Sequence, residues 1–230
     1  SRMDHARLTS LATAWADGDP DATTAAEVRA LLARQDWKEL EERFGASLEF
    51  GTAGLRGTLG GGTNRMNLAV VRRTSAGLAR YLKAQVPDVT KRGVAVGRDG
   101  RRMSLEFARE TAMVLAAEGV PAHVFTDVSP TPVTAFALSA LNAAAAVMVT
   151  ASHNPPEYNG YKVYWGNGAQ IVPPHDTGIA KAIDAVGPAK DVALMNEDEA
   201  RRKSLFHDVK DAVTRAYVDA ILALRPTRQT

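Results

Sequence analysis

A serine in a sharp turn is the residue of this sequence best placed to do chemistry. Ser152 lies in the segment 150–155, Thr-Ala-Ser-His-Asn-Pro, which directly follows the apolar run 144–149. A turn after a buried strand lifts the hydroxyl clear of the core, but a serine hydroxyl needs an activating partner to act as a nucleophile. His153 is its neighbour in sequence, and Lys162 follows a second Gly/Asn turn.

The alternation of side chains along a strand brings Lys162 within reach of the serine. In an extended segment Lys162 and Tyr164 face one way, and the residues between and beside them face the other. A returning strand therefore aims Lys162 at Ser152, where a lysine and backbone N–H groups would stabilise a phosphoserine. The residues alone also allow a plainer interpretation, in which Ser152 and Asn154 only form the turn.

Two further Gly-rich turns carry arginines that suit phosphate. The turn at 51–57, Gly-Thr-Ala-Gly-Leu-Arg-Gly, lets the backbone approach a ligand, and Arg56 offers a planar fork of donors. The turn at 97–104 places Asp99 and Arg101 before a helix N-terminus, which favours anions. A solvated arginine in the first turn and a stiffening ion pair in the second are the alternatives. In α/β folds such turns gather at the carboxyl ends of strands, where ligands bind.

An acidic cluster near the N-terminus resembles a magnesium loop, but we interpret it as a turn. Hard cations favour clustered carboxylates such as the Asp-Gly-Asp-Pro-Asp of residues 17–21. Pro20 interrupts this cluster, Ala22 follows it, and it lies far ahead of Ser152. Since Asp and Pro commonly form turns, we predict a connection between two helices.

Composition is typical of a globular protein. The 230 residues are 45% hydrophobic and 23% charged, and the net charge of +2 gives no sign of a nucleic-acid partner. No apolar run reaches the ~20 residues of a membrane helix, and no signal region is evident. The sequence holds no cysteine, which excludes disulfides and thiolate metal sites. We expect a cytoplasmic protein without a membrane partner.

Helices and strands alternate from about residue 50 onward, which indicates an α/β domain. The predicted strands are 94–97, 122–125, 144–149 and a hairpin of 161–165 with 170–172. The predicted helices begin at 68, at 104 with Ser104 as N-cap, at 131 and at 176, and a last one spans 213–222, after an exposed link at 187–203. We predict three α/β/α layers around a mixed, mostly parallel sheet, preceded by a helical arm.

Two of these segments resemble a known family. The segment 150–164, Thr-Ala-Ser-His-Asn-Pro-Pro-Glu-Tyr-Asn-Gly-Tyr-Lys-Val-Tyr, resembles the active-serine signature of the α-D-phosphohexomutase superfamily, and 50–57 is similar to its first signature. The branch it resembles joins phosphomannomutases to the phosphoglucomutase-2 and phosphopentomutase type. The resemblance implies a phosphosugar mutase, an isomerase that moves a phosphoryl group through a phosphoserine and a sugar bisphosphate.

The resemblance also implies a role for each matching residue. Ser152 would carry the phosphoryl group, Lys162 would act as general acid/base or electrostatic partner, and His153 would orient the reacting groups. The residues that would bind phosphate or substrate are Thr52, Gly54, Arg56, Arg101 and Asn154. Mg²⁺ would bind an oxygen of the Ser152 phosphate, and a sugar 1,6-bisphosphate would be the activator.

The match departs from the family in extent. Members usually have four domains, of which the second supplies an Asp-Gly-Asp-x-Asp-Arg metal loop, the third a sugar-contacting loop and the fourth a phosphate-binding loop. None of these occurs in this sequence. We therefore divide the chain into an arm at 1–49, a serine-bearing first domain at 50–205 and a helix at 206–230 that leads toward an absent second domain.

Two other functions stay open at this point. A non-catalytic domain could bind phosphosugars through the same serine loop. Alternatively, the chain is a folding unit whose exposed apolar face packs on domains II–IV, its expected partners. The substrate stays open among hexose and pentose phosphates, because the sugar-contacting loops lie outside this sequence.

Overall fold

Within residues 4–224, the part of the chain that this computed structural model describes, six strands form one mixed sheet. The strands are β1 (Leu55–Thr58), β2 (Val94–Arg98), β3 (Ala122–Phe125), β4 (Ala145–Val149), β5 (Tyr158–Trp165) and β6 (Phe206–Val209). Their order is β1-β5-β4-β2-β3-β6. β4, β2, β3 and β6 run parallel, whereas β5 is antiparallel to both β4 and β1. This confirms the mixed, mostly parallel sheet.

Helices cover both faces of the sheet, which confirms the three-layer prediction. The helices are α1 (His5–Asp17), α2 (Ala22–Ala33), α3 (Trp37–Phe44), α4 (Leu68–Gln85), α5 (Val89–Arg92), α6 (Ser104–Ala117), α7 (Thr131–Ala140), α8 (His175–Asp184), α9 (Glu197–Arg202) and α10 (Asp211–Ala223). Side chains of α4, α6 and α8 share a core with one face of the central strands. Side chains of α7 and α10 form a second core on the opposite face.

The period-two alternation in β5 holds in the structure. Tyr161 and Val163 are buried in the core with α4 and α6, and Tyr164 is buried in the core with α7. Lys162 lies on the Tyr164 face, near the end of β5 that adjoins the carboxyl end of β4. Both faces of β5 are therefore buried, and Lys162 lies on one of them, near the carboxyl end of β4.

The helical arm has a small core of its own. Leu8, Val28 and Leu40, from its three helices, are all buried there. The acidic cluster between α1 and α2 is a turn, as predicted: the Asp21 side chain accepts the N–H of Thr23 at 2.9 Å and caps α2.

The predictions failed at the short elements late in the chain. Phe206–Val209 forms the edge strand β6, beside β3, where a helical segment was predicted. Only its two end residues are buried, so four residues carry too little alternation to signal a strand. The link at 187–203 contains α9 and a 3-10 turn, and the second arm of the hairpin is a single bridge between Tyr164 and Gln170.

A buried hydroxyl network fixes β5 against α4 and α6. The Tyr161 hydroxyl lies 3.0 Å from Ser75 Oγ, and Ser75 Oγ donates to Thr111 Oγ1 at 3.3 Å. Thr111 Oγ1 donates in turn to the Phe107 carbonyl at 2.8 Å. Burial raises the pKa of Tyr161 to about 12, although its hydrogen bonds with the two hydroxyls act in the opposite direction. The folded structure therefore favours the neutral form of the Tyr161 side chain.

We predict that Tyr161→Phe changes the alkaline stability of the protein. Because the pKa of Tyr161 is higher in the folded state, its contribution is present below pH 10 and is lost as pH rises toward about 12. That loss amounts to roughly 2 kcal/mol in the wild type. Removing the hydroxyl should lower the free energy of unfolding by about 1 kcal/mol at pH 7. The variant should also lose less of its free energy of unfolding than the wild type as the pH rises above about 10.

Urea unfolding at pH 7, 9 and 11 measures the effect. Tyr217→Phe, at a half-buried tyrosine on α10, is the matched control and should keep the wild-type pH dependence. Parallel pH profiles for Tyr161→Phe and the wild type would contradict the prediction.

Candidate active site

The serine turn stands at the carboxyl end of β4, at the centre of the edge where the Gly-rich turns meet. Ser152 has a φ of 55°, a left-handed conformation that is uncommon for a residue with a side chain. Its N–H donates to Thr150 Oγ1 at 2.9 Å, which closes the turn. The side chain is exposed, so the hydroxyl points away from the core.

The returning strand brings an ammonium group to that hydroxyl. Lys162 lies opposite Met148 in the β4–β5 ladder, and its Nζ donates to Ser152 Oγ at 2.6 Å. This is the approach expected from the alternation along β5. A lysine at this distance can stabilise negative charge on the serine oxygen and can exchange a proton with it.

Two glycines make this close approach possible. A Cβ at Gly160, in β5, would lie 2.6 Å from the Thr150 carbonyl oxygen and 2.7 Å from that of Leu55. Gly54 has a φ of 73°, and a Cβ there would overlap the Tyr161 carbonyl oxygen. Gly54 is buried, so its backbone conformation lets the first Gly-rich turn lie against β5.

Arg56 completes the cationic part of the site. Its exposed side chain donates from Nη1 to Asn154 Oδ1 at 3.0 Å. Arg56, Ser152 and Lys162 line one small cavity of about 150 Å³. Among residues 4–224, neither Arg56 nor Lys162 forms an ion pair with a carboxylate. The cavity therefore presents uncompensated positive charge, which suits an anion the size of a phosphoryl group.

Arg101 supports the turn from behind. Nη2 donates to the carbonyl oxygens of Ser152 and Asn154 at 2.8 and 2.7 Å. Nη1 donates to those of Pro155 and Tyr158 at 2.9 and 3.3 Å, and Nε lies 3.2 Å from Asp99 Oδ2. These contacts use all five N–H donors of a guanidinium. We therefore interpret Arg101 as a positioning residue, although the family resemblance also grouped it with the phosphate-binding residues.

A buried polar chain holds Arg101 and the helix behind it. Asp99 Oδ1 accepts the Arg101 N–H at 3.0 Å and the Ser104 hydroxyl at 2.6 Å. Ser104 Oγ in turn accepts from Asn159 Nδ2 at 3.0 Å. The N-cap of α6 is Met103, with a φ of 68°, and not Ser104 as predicted: Ser104 is already the first residue of the helix, and its hydroxyl donates to Asp99.

Two of the predicted site residues lie at the rim. Thr52 and His153 are exposed, and neither lines the cavity. Sequence reasoning also missed one wall of the cavity: Gln170, from the segment that returns after β5, lines it together with Lys162. The only sequence signal was its place in the predicted hairpin.

A larger cavity lies elsewhere. Its volume is about 770 Å³, and it is formed between the arm, α4 and α8, with Trp15, Arg73 and Ile183 in its walls. Arg73 donates to the carbonyl oxygens of Gly187 and Val186 at 3.2 and 3.1 Å, which are bonds within the fold. We place the active site at the small cavity, because Ser152 lies there beside two cations that form no ion pair with a carboxylate of residues 4–224.

The described residues supply few metal ligands. Nowhere in residues 4–224 do three His, Cys, Asp or Glu side chains gather in a geometry that could hold a metal ion. A phosphoryl oxygen on Ser152 would be a single ligand, so these residues do not form a metal site by themselves. In the same range, no helix has the length and apolar character needed to cross a membrane.

Comparisons with known proteins show the family to which this fold belongs. Residues 47–190 match the model of the family described as phosphoglucomutase/phosphomannomutase, alpha/beta/alpha domain I. The chain is similar to a phosphopentomutase from Homo sapiens, with 43% identity over 185 residues, 78% of this chain and 30% of the relative. It is 45% identical over 174 residues to a phosphoribomutase from Saccharomyces cerevisiae, covering 74% of this chain and 28% of that protein.

A human glucose 1,6-bisphosphate synthase is 41% identical over 176 residues, covering 74% of this chain and 28% of the relative. A crystal structure of a phosphoglucomutase/phosphomannomutase family protein from Burkholderia thailandensis superimposes with a TM-score of 0.56 at 26% identity. That match covers 78% of this chain and 36% of the other. The chain thus spans about 30% of the length of the curated relatives it matches.

We predict that Arg101→Met loosens the serine turn. The substitution removes four hydrogen bonds to carbonyl oxygens of that turn, and a charged donor makes each of them stronger than a neutral one. Amide hydrogen exchange in a peptide covering 152–160 should accelerate by about tenfold or more, equivalent to ~1.4 kcal/mol. Arg101→Lys should behave similarly, because one ammonium cannot reach all four oxygens.

Arg102→Met provides the matched control at an exposed neighbour and should leave this exchange unchanged. Unchanged exchange in Arg101→Met would show that the turn keeps its conformation without the guanidinium.

Proposed function

The chain belongs to the phosphoglucomutase/phosphomannomutase family of the α-D-phosphohexomutases, and from this premise we propose that Ser152 carries the phosphoryl group in a phosphosugar mutase reaction. Two of the relatives that it matches are named as mutases, which are isomerases. The observation that carries the proposal is the 2.6 Å hydrogen bond from Lys162 to the Ser152 hydroxyl. Beside it lies Arg56, which forms no ion pair with any carboxylate of residues 4–224. Each group has a task in phosphoryl transfer.

Lys162 manages the proton and the charge at Ser152 Oγ. When phosphoserine donates its group, the bond from Oγ to phosphorus breaks, and a sugar hydroxyl oxygen bonds to the phosphorus and releases its proton to water. Oγ then needs a proton, and the Lys162 ammonium at 2.6 Å supplies it. When a sugar bisphosphate returns a phosphoryl group, the neutral amine accepts the proton of the Ser152 hydroxyl as Oγ bonds to the phosphorus, and the sugar oxygen that leaves takes a proton from water. Microscopic reversibility requires that one residue serve both directions.

The other site residues bind and orient. Arg56 stabilises the phosphoryl oxygens, and Asn154 keeps the guanidinium in place through its 3.0 Å bond. Thr52 and Gly54 lie in the same turn as this arginine, and His153 is exposed next to Ser152 in the chain. We propose that His153 orients the sugar hydroxyl and that Arg101 holds the turn.

The rest of the machinery is proposed to lie outside these residues. Mg²⁺ would neutralise charge on the phosphoryl group, but the described residues offer it only an oxygen of a phosphorylated Ser152, so the carboxylate ligands must come from elsewhere. We propose that residues 50–205 are the serine-bearing first domain, with the arm at 1–49 before it and 206–230 leading to a second. Because catalysis depends on positioning and charge stabilisation, turnover requires the remaining domains.

The names of the relatives guide the choice of substrate. Phosphopentomutase, phosphoribomutase and glucose 1,6-bisphosphate synthase are names of proteins that act on pentose and hexose phosphates. We propose a sugar phosphate of one of these classes as substrate and a sugar 1,6-bisphosphate as activator and phosphoryl donor.

Incubation with glucose 1,6-bisphosphate should add one phosphate to the chain, detected by intact mass. Ser152→Ala should abolish the adduct, because the accepting oxygen is lost. Ser139→Ala, at an exposed serine of α7, is the matched control and should keep it. Protein that stays unmodified yet binds the sugar phosphate would instead support a non-catalytic phosphosugar-binding domain. Mutase turnover by these 230 residues alone in a coupled assay would refute the need for further domains.

Lys162→Met should slow phosphorylation of Ser152 by about 100-fold or more, the usual range for loss of a general acid/base. The side chain is partly exposed, so the free energy of unfolding should change by less than about 1 kcal/mol. Quench-flow mass spectrometry and thermal melts measure the two quantities. Lys181→Met, at an exposed lysine of α8, controls for the loss of charge. A parallel fall in rate and stability would identify Lys162 as structural.

A further inference from the structure

One wall of the serine cavity has no role in the proposed chemistry. Gln170 lines the cavity together with Arg56, Ser152 and Lys162, and its side chain is exposed there. Unlike Arg56 and Lys162 it carries no charge, and its amide has both N–H donors and a carbonyl acceptor. A polar group with free hydrogen-bonding capacity on the wall of an anion cavity can contact the bound anion directly.

The chain after β5 holds this residue in register. The Gly166–Gly168 turn closes with the Gly168 N–H donating to the Trp165 carbonyl at 2.8 Å, and Gly168 has a φ of 81°. The Ile171 N–H then donates to the Val163 carbonyl at 3.2 Å. Ile171 is 1% exposed, so its burial anchors the returning segment beside β5.

This register determines the face on which Gln170 lies. Gln170 pairs with Tyr164, and directly paired residues project to the same side of a sheet. Lys162 lies on that side too, because it is two residues from Tyr164. Arg56, in β1, pairs with Gly160 of β5, so the Arg56 side chain projects to this side of the sheet as well. Three side chains from three segments thus surround Ser152 from one face.

The charges in the cavity favour a neutral residue at this position. A phosphoryl group on serine carries up to two negative charges, and Arg56 and Lys162 supply two positive ones. A third cation would hold the phosphoserine more tightly and oppose its transfer, since only stabilisation that increases in the transition state accelerates the reaction. An amide can orient a phosphoryl oxygen without adding to that charge.

We propose that Gln170 is a phosphoryl-binding residue, whose side-chain N–H donates to a non-bridging oxygen of the phosphoryl group on Ser152. The proposal deepens the function proposed above and rests on it. It assigns the segment after β5 a direct part in the site, next to the three Gly-rich turns.

A phosphoserine incorporated at position 152 during translation tests the contact without requiring the chain to phosphorylate itself. The ³¹P NMR signal is followed through the second ionisation of the phosphate. Donors to the dianion lower the midpoint of this titration, so Gln170→Ala should raise it by about half a pH unit. Gln170→Glu keeps the size of the side chain but adds a negative charge, and should raise the midpoint by about one unit. Gln85→Ala, at an exposed glutamine ending α4, should leave it unchanged.

The variant Lys162→Met distinguishes a failure of the proposed role of Gln170 from a failure of the proposed function of the site. If it raises the midpoint while both Gln170 variants match Gln85→Ala, the phosphate occupies the cavity and the role of Gln170 is refuted. If neither Lys162→Met nor the Gln170 variants move the midpoint, the phosphate lies outside the cavity and the proposed function fails with it. A rise in both Gln170 variants, larger for glutamate, supports the contact.

Discussion

The hydrogen bond between Lys162 and Ser152 depends on how closely β5 lies between its two neighbours. Its 2.6 Å length is a side-chain contact, but main-chain packing sets it. At Gly160 the strand fits between the carbonyl oxygens of Thr150 and Leu55 with no room for a Cβ. Any larger residue there would push β5 away from β4 or β1 and carry Lys162 with it. The glycines next to the site therefore allow the backbones to approach closely, which brings the charged side chains within hydrogen-bonding distance of Ser152.

Much of the polar structure around the site holds an uncommon backbone conformation in place. The turn keeps Ser152 at a φ of 55°, where a side chain is disfavoured, and thereby exposes its hydroxyl. Arg101 offsets this by bonding to four carbonyl oxygens of the turn, and Asp99 holds Arg101 through its carboxylate. The two arginines of the site thus differ in their partners. Arg101 donates to four backbone carbonyl oxygens and pairs with the Asp99 carboxylate. Arg56 donates to the neutral side chain of Asn154 and lines the cavity.

The site is open because it is assembled on one edge of the sheet. Ser152 and Arg56 are both exposed, and the cavity beside them has a volume of only about 150 Å³. The chain spans about 30% of the length of its curated relatives. An open site on this edge of the sheet is compatible with the proposal that further domains take part in the reaction.

The sequence by itself determined the parts of this protein that rest on local pattern. Alternation in β5 indicated which side chains share a face, and a continuous apolar run identified β4 as buried on both faces. The serine motif likewise pointed to Lys162 before any contact was visible. These features depend on residues close together in the chain, so periodicity and turn chemistry suffice to find them.

Only the tertiary structure decided which distant segments meet. β6 has four residues and becomes a strand through its pairing with β3. Four of the five donors of Arg101 bond to main-chain oxygens about fifty positions away, and Gln170 lines the cavity because the chain returns beside β5. Such contacts depend on strand order and on the space left between packed backbones. Neither is encoded in the spacing of neighbouring residues, because both follow from the whole sheet.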